Sequence, residues 1–241
     1  MDGTDIIERP NFCEACAIRN RAICADLDNQ EIDLLNKIGR RRQLQVGEQL
    51  LWEGDEAVLV ANVVEGVLKL STATADGREQ IVGLVYSSDF VGRPFSETTP
   101  YGVEALTDAT VCVFRRKDFD RFALDHPRLA NKLLERTLTE LDRSRRWILL
   151  LGKLNAEERV ASFLIEVGRR LEVDVDQPAN LSGRSEFSLP LSRQQIADIL
   201  GLTIETVSRQ FTRFKKDGII QMPTSRTIIV PDIKALINRA G

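Results

Sequence analysis

Four cysteines are the side chains of this sequence best suited to chemistry. Cys13, Cys16 and Cys24 lie near the start of the chain with two and seven residues between them, and Cys112 lies far downstream. A two-residue spacing lets two thiolates reach one metal centre from a single turn, whereas the longer gap predicts a chain wrapped around something larger than one ion. The group therefore predicts a metal-binding or redox-active site.

Other interpretations of the cysteines stay open at this level. Cys112 falls in a β-rich run, where a free cysteine is often a buried core residue. Four thiolates also suit structural zinc, although such sites usually contain two Cys-x2-Cys pairs and this sequence has one. A Cys-x-x-Cys pair can also act as a dithiol switch in a reducing compartment.

Composition narrows the class of protein. The chain has 241 residues, 43% hydrophobic and 29% charged, which indicates a globular protein of one or two domains. The N-terminus lacks the pattern of a secretory signal, and no apolar run approaches the ~20 residues that span a bilayer, so we expect a cytoplasmic location. An enzyme is not expected, because there is no glycine-rich phosphate loop and the only histidine, His126, is explained by a helix start.

The C-terminal segment has the pattern of a DNA-binding unit. Residues 192–241 carry a net charge of +4 and the first 191 residues carry −7, so we expect only the end of the chain to meet a polyanion. Ser192 and Gln195 predict a capping box. Gly201 predicts a helix end with positive φ, and Thr203 predicts the cap of the next helix. Together they predict a helix-turn-helix.

The second of these helices carries the side chains expected to read DNA. Glu205, Ser208 and Arg209 have i, i+3 and i+4 spacing, which predicts one exposed face, and Arg213 follows one turn later. An arginine can bond guanine O6 and N7 together, and a glutamate can accept from the amino group of cytosine or adenine. A helical hairpin with a solvated charged face is the alternative. Nearby basic residues are expected to contact phosphates: Arg193, Lys215 and Lys216.

Before this unit, the sequence predicts a short helix followed by a series of short β-strands. Residues 28–38 predict a short amphipathic helix capped by Asp28. Asp76 and Gly77 give the strongest hairpin signal, and the polar stretch 174–185 predicts a loop. Short β-rich runs separated by glycines indicate an antiparallel roll or barrel. These runs are 49–52, 58–64, 67–71, 80–85 and 110–114, and a later hairpin wing is predicted over 218–221 and 227–230.

A long helix is predicted after the roll. Asp125, near the expected cap, and Pro127, in the expected first turn, give its start signal, and helical periodicity continues to about residue 152. Apolar residues at spacings of 4, 3 and 7 predict a seam that pairs with a second copy of the chain. Packing of the helix on the roll is the alternative. The expected dimerisation residues are Leu134, Leu138, Leu141 and Ile148, with Ser144 in a polar layer between them.

Roll, long helix and helix-turn-helix together resemble the CRP/FNR superfamily of bacterial transcription regulators over nearly the whole chain. Residues 46–48 and 53–55 resemble the first roll strands of that family, and 155–161 resembles the helix after its dimerisation helix. The resemblance implies an α+β fold: an N-terminal antiparallel β-roll of the cyclic-nucleotide-binding type, a long dimerisation helix and a C-terminal winged helix-turn-helix. The expected boundaries are 1–27 for a cysteine-rich cluster-binding arm, 28–122 for the roll, 123–153 for the helix and 154–241 for the DNA-binding domain.

Residues 205–209 are similar to the FNR branch in particular. In that branch the glutamate and arginine read a TTGAT half-site and the serine contacts a thymine, which implies the same roles here. The cyclic-AMP branch has an arginine immediately before the glutamate, where this chain has Ile204. The matching roll segments, 92–94 and 101–105, also lack an arginine beside the expected phosphate position, so no cyclic nucleotide is expected.

The oxygen sensors of the FNR branch hold a [4Fe–4S] cluster with an N-terminal cysteine group and one distant cysteine on the roll. The resemblance therefore implies one cluster per subunit, with Cys13, Cys16, Cys24 and Cys112 as metal ligands. The gap of seven residues is longer than in enterobacterial members and is typical of α-proteobacterial ones. The resemblance further implies an oxygen-responsive homodimer that activates anaerobic or microaerobic genes, binds inverted-repeat DNA and contacts RNA polymerase through the hairpin near Asp76.

Overall fold

A computed structural model describes residues 12–73, 77, 79–171 and 183–241. These residues belong to two compact units, Met1–Leu141 and Asp142–Gly241. The elements of the first unit are α1 (Asn29–Ile38), β1 (Gly39–Leu44), β2 (Gln49–Leu51), β3 (Leu59–Glu65), β4 (Leu68–Ala73), β5 (Glu79–Val85), β6 (Phe90–Val91), β7 (Gly102–Ala105), β8 (Ala109–Arg115) and α2 (Arg116–Asp125). Helix α3 (Pro127–Lys153) begins in the first unit and ends in the second.

Two antiparallel sheets form the predicted β-roll. One has the strand order β1-β8-β3-β6 and the other β2-β7-β4-β5. Successive side chains of a strand point to opposite faces, and alternate apolar residues of both sheets meet in a shared core that includes Val63, Leu68, Val103 and Val111. Burial of these aliphatic side chains is the main stabilisation of the roll.

The sheet that contains β8 is covered on both faces. The face opposite the roll core packs against α1, α2, the start of α3 and the segment before α1. Phe114 of β8 and Phe119 of α2 are buried there with ring centroids 5.6 Å apart. This second core places the N-terminal cysteine segment next to β8.

Helix α1 begins as predicted, and α3 begins at the predicted helix entry. Asp28 accepts from the Glu31 amide, and the Glu31 carboxylate accepts from the Asp28 amide, so the predicted cap is part of a capping box. Pro127 is the first residue of α3, as predicted, whereas Asp125 ends a separate helix, α2, that was not predicted. Between them, His126 stacks on the Phe122 ring at 3.8 Å, and its Nδ1 lies 2.7 Å from the Phe122 carbonyl.

The second unit contains the predicted helix-turn-helix. Its elements after α3 are α4 (Ala156–Leu171), β9 (Ser185–Ser188), α5 (Arg193–Leu200), α6 (Ile204–Lys216), β10 (Thr227–Val230) and α7 (Ile233–Ile237). Ser192 and Gln195 form the predicted capping box of α5, and Thr203 accepts from the Thr206 amide at the start of α6. Between the two helices Gly201 has a φ of 59°, a conformation that favours glycine.

The wing and one hairpin differ from the sequence predictions. Strand β10 pairs with β9, whose first residue, Ser185, falls in the stretch predicted to be a loop. The predicted partner segment of β10 contributes one isolated bridge, from Gln221 to Ile229. β4 and β5 pair as predicted, and Gly77 between them has a φ of 81°. Asp76 lies outside the described residues. Within the described ranges, no helix is long and apolar enough to cross a membrane.

Candidate thiol site and DNA-binding surface

The cysteine-bearing segment 12–27 is anchored to the roll by its own apolar residues. Ile18, Ala22, Ile23 and Leu27 are all buried. Short turns shape the segment: the Cys16 amide donates to the Cys13 carbonyl, and the Leu27 amide donates to the Cys24 carbonyl. We call residues 12–27 the arm. Its anchors hold Cys13 and Cys24 against the second core, which also contains Cys112.

Cys112 lies in the middle of a row of side chains that crosses the sheet. In the antiparallel register, Arg41 of β1 and Asn62 of β3 are its partners on the two sides, and Phe90 of β6 pairs with Asn62. Directly paired residues point to the same face of a sheet, which here is the face that the arm covers. We call Arg41, Cys112, Asn62 and Phe90 the cross-strand row.

The four predicted ligand thiols influence one another electrostatically. Burial, the largest cause, together with the neighbouring thiols Cys13, Cys16 and Cys24, raises the pKa of Cys112 well above its usual value. Burial, followed by Cys24 and Cys16, raises the pKa of Cys13 to about 12, and burial followed by Cys16 raises that of Cys24 to about 11. The structure thus brings together four thiols that the sequence holds far apart, and it keeps Cys13, Cys24 and Cys112 protonated at neutral pH.

Two arginines oppose this effect. Arg41 lowers the pKa of both Cys13 and Cys112, and Arg19 lowers that of Cys13 and Cys24. Arg41 also holds the arm directly, because its Nη2 donates to the Phe12 carbonyl at 3.1 Å and its guanidinium lies 5.6 Å from the Phe12 ring centroid. These two positive charges therefore favour the thiolate forms of the cysteines.

The donor set limits what the site can bind. Sulfur ligands select zinc, copper(I) or iron–sulfur clusters over hard cations such as magnesium or calcium. Among the described residues, no group of three histidine, cysteine or acidic side chains is arranged to hold a metal ion. To bind a metal or cluster, the thiols would therefore have to come closer together than they lie here, and they would have to lose their protons on binding.

Three basic side chains connect the arm region to α3. Arg136 donates to the Arg21 carbonyl. Lys132 lies 3.7 Å from the Asp26 carboxylate. One turn earlier, Arg128 lies 3.8 Å from the Asp28 and Glu31 carboxylates. These basic residues are spaced by four and share one face of the helix; we call them the basic ladder.

Another face of α3 leaves the predicted seam uncovered. Leu129 is the one buried residue of the helix in this chain. Of its other large apolar side chains, Leu133, Trp147 and Leu150 are half-buried, whereas others are exposed, with Ile148 at 71%. The remaining predicted seam residues, Leu134, Leu138 and Leu141, are also exposed, as is Ser144. A row of exposed leucines on a long helix is typical of a dimer interface.

Helix α6 presents its predicted reading residues to solvent. Val207, Phe211 and Phe214 are buried, which leaves Glu205 and Arg209 exposed and Ser208 half-buried on the other side. Hydrogen bonds from the Glu205 amide and from Thr203 lower the pKa of Glu205. Its carboxylate is therefore an acceptor at neutral pH, as a contact to a base amino group requires.

Two of the basic residues predicted to contact DNA have intramolecular partners. Arg193 packs over the Phe211 ring at 3.4 Å, and burial lowers its pKa; the phosphate contact predicted for it stays a prediction. Arg213 donates to Glu157 at 2.7 Å, and Glu157 also accepts from Arg239. The DNA contact predicted for Arg213 stays a prediction, whereas this ion-pair network was not foreseen.

Sequence reasoning also missed Arg41, Asn62 and the basic ladder. Arg41 lies in a run of three arginines that has no apolar alternation, so β1 itself was not predicted. Asn62 is the only polar residue from Leu59 to Val64 of β3, and a lone polar residue in such an aliphatic run is the signal that could have identified it. The ladder has i, i+4, i+8 spacing, which a search for basic residues on the face away from the seam would have found.

Comparisons with known proteins agree with these two units. The model of the Crp-like helix-turn-helix domain matches residues 158–239, and that of the cyclic nucleotide-binding domain matches 41–126. The transcriptional activator protein FnrL of Cereibacter sphaeroides is 44% identical over 229 residues, 95% of this chain and 92% of that protein. The nitrogen fixation regulation protein FixK of Bradyrhizobium diazoefficiens is 40% identical, with 91% of each chain covered.

A solved structure agrees with the fold. FixK2 from Bradyrhizobium japonicum has a TM-score of 0.75 and 31% sequence identity, with 85% of this chain and 98% of that chain covered. The expected β-roll, long helix and helix-turn-helix are thereby confirmed. This chain belongs to the FNR/FixK family of DNA-binding transcriptional activators in the CRP/FNR superfamily.

Proposed function

We propose that this activator responds to oxygen through a [4Fe–4S] cluster held by Cys13, Cys16, Cys24 and Cys112. The observation that supports the proposal is that Cys13 and Cys24 of the arm pack against the core that contains Cys112 of β8, with Cys16 among the groups that raise the pKa of each of these three thiols. The donor set fits the group, because iron–sulfur clusters are held by four thiolates. When bound, the cluster supplies a redox centre that oxygen attacks.

Binding of a shared group by the cysteines would determine whether the arm is fixed to the roll. When its three thiolates and that of Cys112 share one group, the arm is fixed to β8. When they do not, the arm is held only by its buried apolar anchors and by contacts such as the Arg41 hydrogen bond to Phe12. Arg41 and Arg19 offset part of the negative charge of the thiolates.

The basic ladder connects the arm to α3, so that loss of the arm's position would remove contacts from the helix. Arg136 and Lys132 contact arm residues and lie on the same helix as the seam. We propose that a fixed arm holds α3 in the orientation that pairs with a second copy through Leu134, Leu138 and Leu141, with Ile148 beyond the polar layer at Ser144. A released arm loses that restraint, and pairing weakens.

Pairing determines DNA affinity. Two copies of α6 in a dimer meet successive major grooves about one helical turn apart, which suits an inverted repeat. We propose that Glu205, Ser208 and Arg209 read TTGAT-type half-sites, with Arg213 adjacent. A monomer engages one half-site only and loses the gain of simultaneous binding. RNA polymerase is the expected partner of the β4–β5 hairpin, and no cyclic nucleotide is expected as effector.

Metal analysis tests the proposal. Protein purified without oxygen should contain about four iron and four sulfide per chain, and Cys112→Ser should lower both. Val113→Ala is the matched control, because Val113 is the next residue of β8 and packs against the roll core on the opposite face. Zinc in place of iron, or no metal, would contradict the cluster and leave the family assignment intact; reversible disulfide formation without metal would favour a thiol-redox switch.

A further inference from the structure

Asn62 is a polar residue at a buried position of the sheet that otherwise suits an aliphatic side chain. It lies on β3, and only 2% of its surface is exposed. Neighbours of the strand such as Val60 and Ala61 are apolar and fully buried. Within the part of the chain that the structure describes, the Asn62 Oδ1 atom is buried and has no hydrogen-bond partner. A buried polar group without a partner destabilises a fold, and an aliphatic side chain would fill this position without that cost.

The register directs this side chain to the cysteines. Asn62 is the direct cross-strand partner of Cys112, and paired side chains share one face with their Cβ atoms in near contact. On that face Cys112 packs with Cys13 and Cys24 of the arm. The amide of Asn62 therefore borders the proposed ligand set.

The other neighbour of Cys112 shows a related feature. Arg41, its partner on β1, has a buried Nε atom with no hydrogen-bond partner among the described residues. Cys112 thus has on each side a polar side chain with a buried atom left unsatisfied. Two such groups therefore flank Cys112 within a core that is otherwise largely apolar.

We propose that Asn62 is a positioning residue that donates an amide N–H to the sulfur of Cys112 or of the group it binds. This inference rests on the proposed cluster. The Asn62 atom that has no partner among the described residues is the acceptor Oδ1. Because the terminal torsion of asparagine is broad, a half-turn of the planar amide exchanges the two ends and can direct the NH2 group toward sulfur. A hydrogen bond to sulfur withdraws electron density, raises the reduction potential of the bound group and makes its oxidation harder.

Substitution of Asn62 by valine or by threonine tests whether a hydrogen-bond donor is needed at this position. Asn62→Val is apolar, and Asn62→Thr has nearly the same shape but keeps an O–H donor; both side chains suit a strand. All proteins are purified without oxygen, and their visible absorbance is followed after exposure to air. We expect Asn62→Val to bleach roughly tenfold faster than the unsubstituted protein, as for other losses around metal ligands, and Asn62→Thr to lie between them.

The metal-free proteins separate positioning from folding. Asn62→Val should melt no lower than the unsubstituted metal-free protein, because it removes an unsatisfied polar group. Val60→Ala, on the same strand and face, opens a cavity and shows what general destabilisation does to bleaching. A fall in melting temperature of Asn62→Val as large as that of Val60→Ala, or equal bleaching of all Asn62 variants, would overturn the inference. Absence of iron from the unsubstituted protein would contradict the cluster as well, so the two failures are distinguishable.

Discussion

At the scale of single residues, the thiols combine burial with mutual repulsion. Burial, reinforced by neighbouring thiols, raises the pKa of Cys13 to about 12, and that of Cys24 rises to about 11 for related reasons. Such thiols are poor nucleophiles without metal, because the thiolate is the reactive form. The same arrangement favours a ligand that brings its own positive charge, since metal binding removes the protons.

Alkylation of the metal-free protein tests this state of the thiols. The rate at Cys13 should keep rising about tenfold per pH unit between pH 9 and 11, where an ordinary thiol has already levelled off near its own pKa. Site-resolved mass spectrometry after timed iodoacetamide exposure gives the rate. The same protein unfolded in urea is the control and should level off near pH 9. A plateau near pH 9 in the folded protein would show that Cys13 is not buried as described.

Arg209 provides the residue-scale test of DNA reading. Arg209→Ala should weaken binding to a TTGAT inverted repeat by about 1–3 kcal/mol and relax the preference at the contacted guanine, since a bidentate arginine supplies discrimination of that size. Lys216→Ala, also exposed on α6, is the control and should weaken binding to all sequences alike. Titrations with matched and base-substituted operators measure both. Equal losses of Arg209→Ala on every operator would assign Arg209 to phosphate contact.

At the scale of elements, α3 has two faces with different partners. The face with the basic ladder contacts the arm region inside the chain, and the apolar seam is left exposed. Exposed leucines on one helix carry an unfavourable contact with water, which pairing relieves. The ladder and the seam thus lie on one helix, and we propose that a change at the arm reaches the pairing surface through it.

Arg136 tests the link between arm and helix. Arg136→Ala removes the hydrogen bond to the Arg21 carbonyl, which should cost about 1.5 kcal/mol and make amide exchange in residues 12–27 roughly tenfold faster. Arg146→Ala removes an exposed arginine of the same helix and should leave that exchange unchanged. Hydrogen exchange by mass spectrometry resolves the arm. Identical exchange in both variants would mean that the ladder does not hold it.

Elements with strong local patterns could be predicted from the sequence, and those set by tertiary contacts could not. The helix-turn-helix was predictable because its caps and Gly201 act within a few residues. Strand β1 was not, because its three consecutive arginines hide the alternation and its pairing with β8 is long-range. The entry to α3 was also predictable from Asp125 and Pro127, but the separate helix α2 before it, which ends at Asp125, was not.

For the candidate site, too, some features could be predicted from the sequence and others could not. The cysteines could be chosen by type and spacing, but their common location depends on arm anchors such as Ile18 and Ile23, whose burial no local pattern indicates. Asn62 and Arg41 become relevant only through the strand register that sets them beside Cys112. Register is a property of the folded sheet, so the surroundings of the thiols required the structure.

At the scale of the whole molecule, the proposed mechanism joins the thiol site of the first unit to the helix-turn-helix of the second through pairing of two chains. In that mechanism the arm, α3 and α6 have separate tasks, and pairing makes them depend on one another. A dimer binds two half-sites at once, so a modest change in pairing becomes a large change in occupancy of an inverted repeat. The central claim is therefore that oxygen changes the dimer fraction through the cysteines.

Sedimentation of the same sample before and after exposure to air measures the dimer fraction directly, and iron is assayed in the same sample. We expect a dimer without oxygen that contains about four iron per chain and becomes monomeric in air as iron is lost. Cys112→Ser should be monomeric in both conditions, and Val113→Ala should behave as the unsubstituted protein does. A dimer fraction that is the same with and without oxygen, in protein that retains its iron or never held any, would contradict the account.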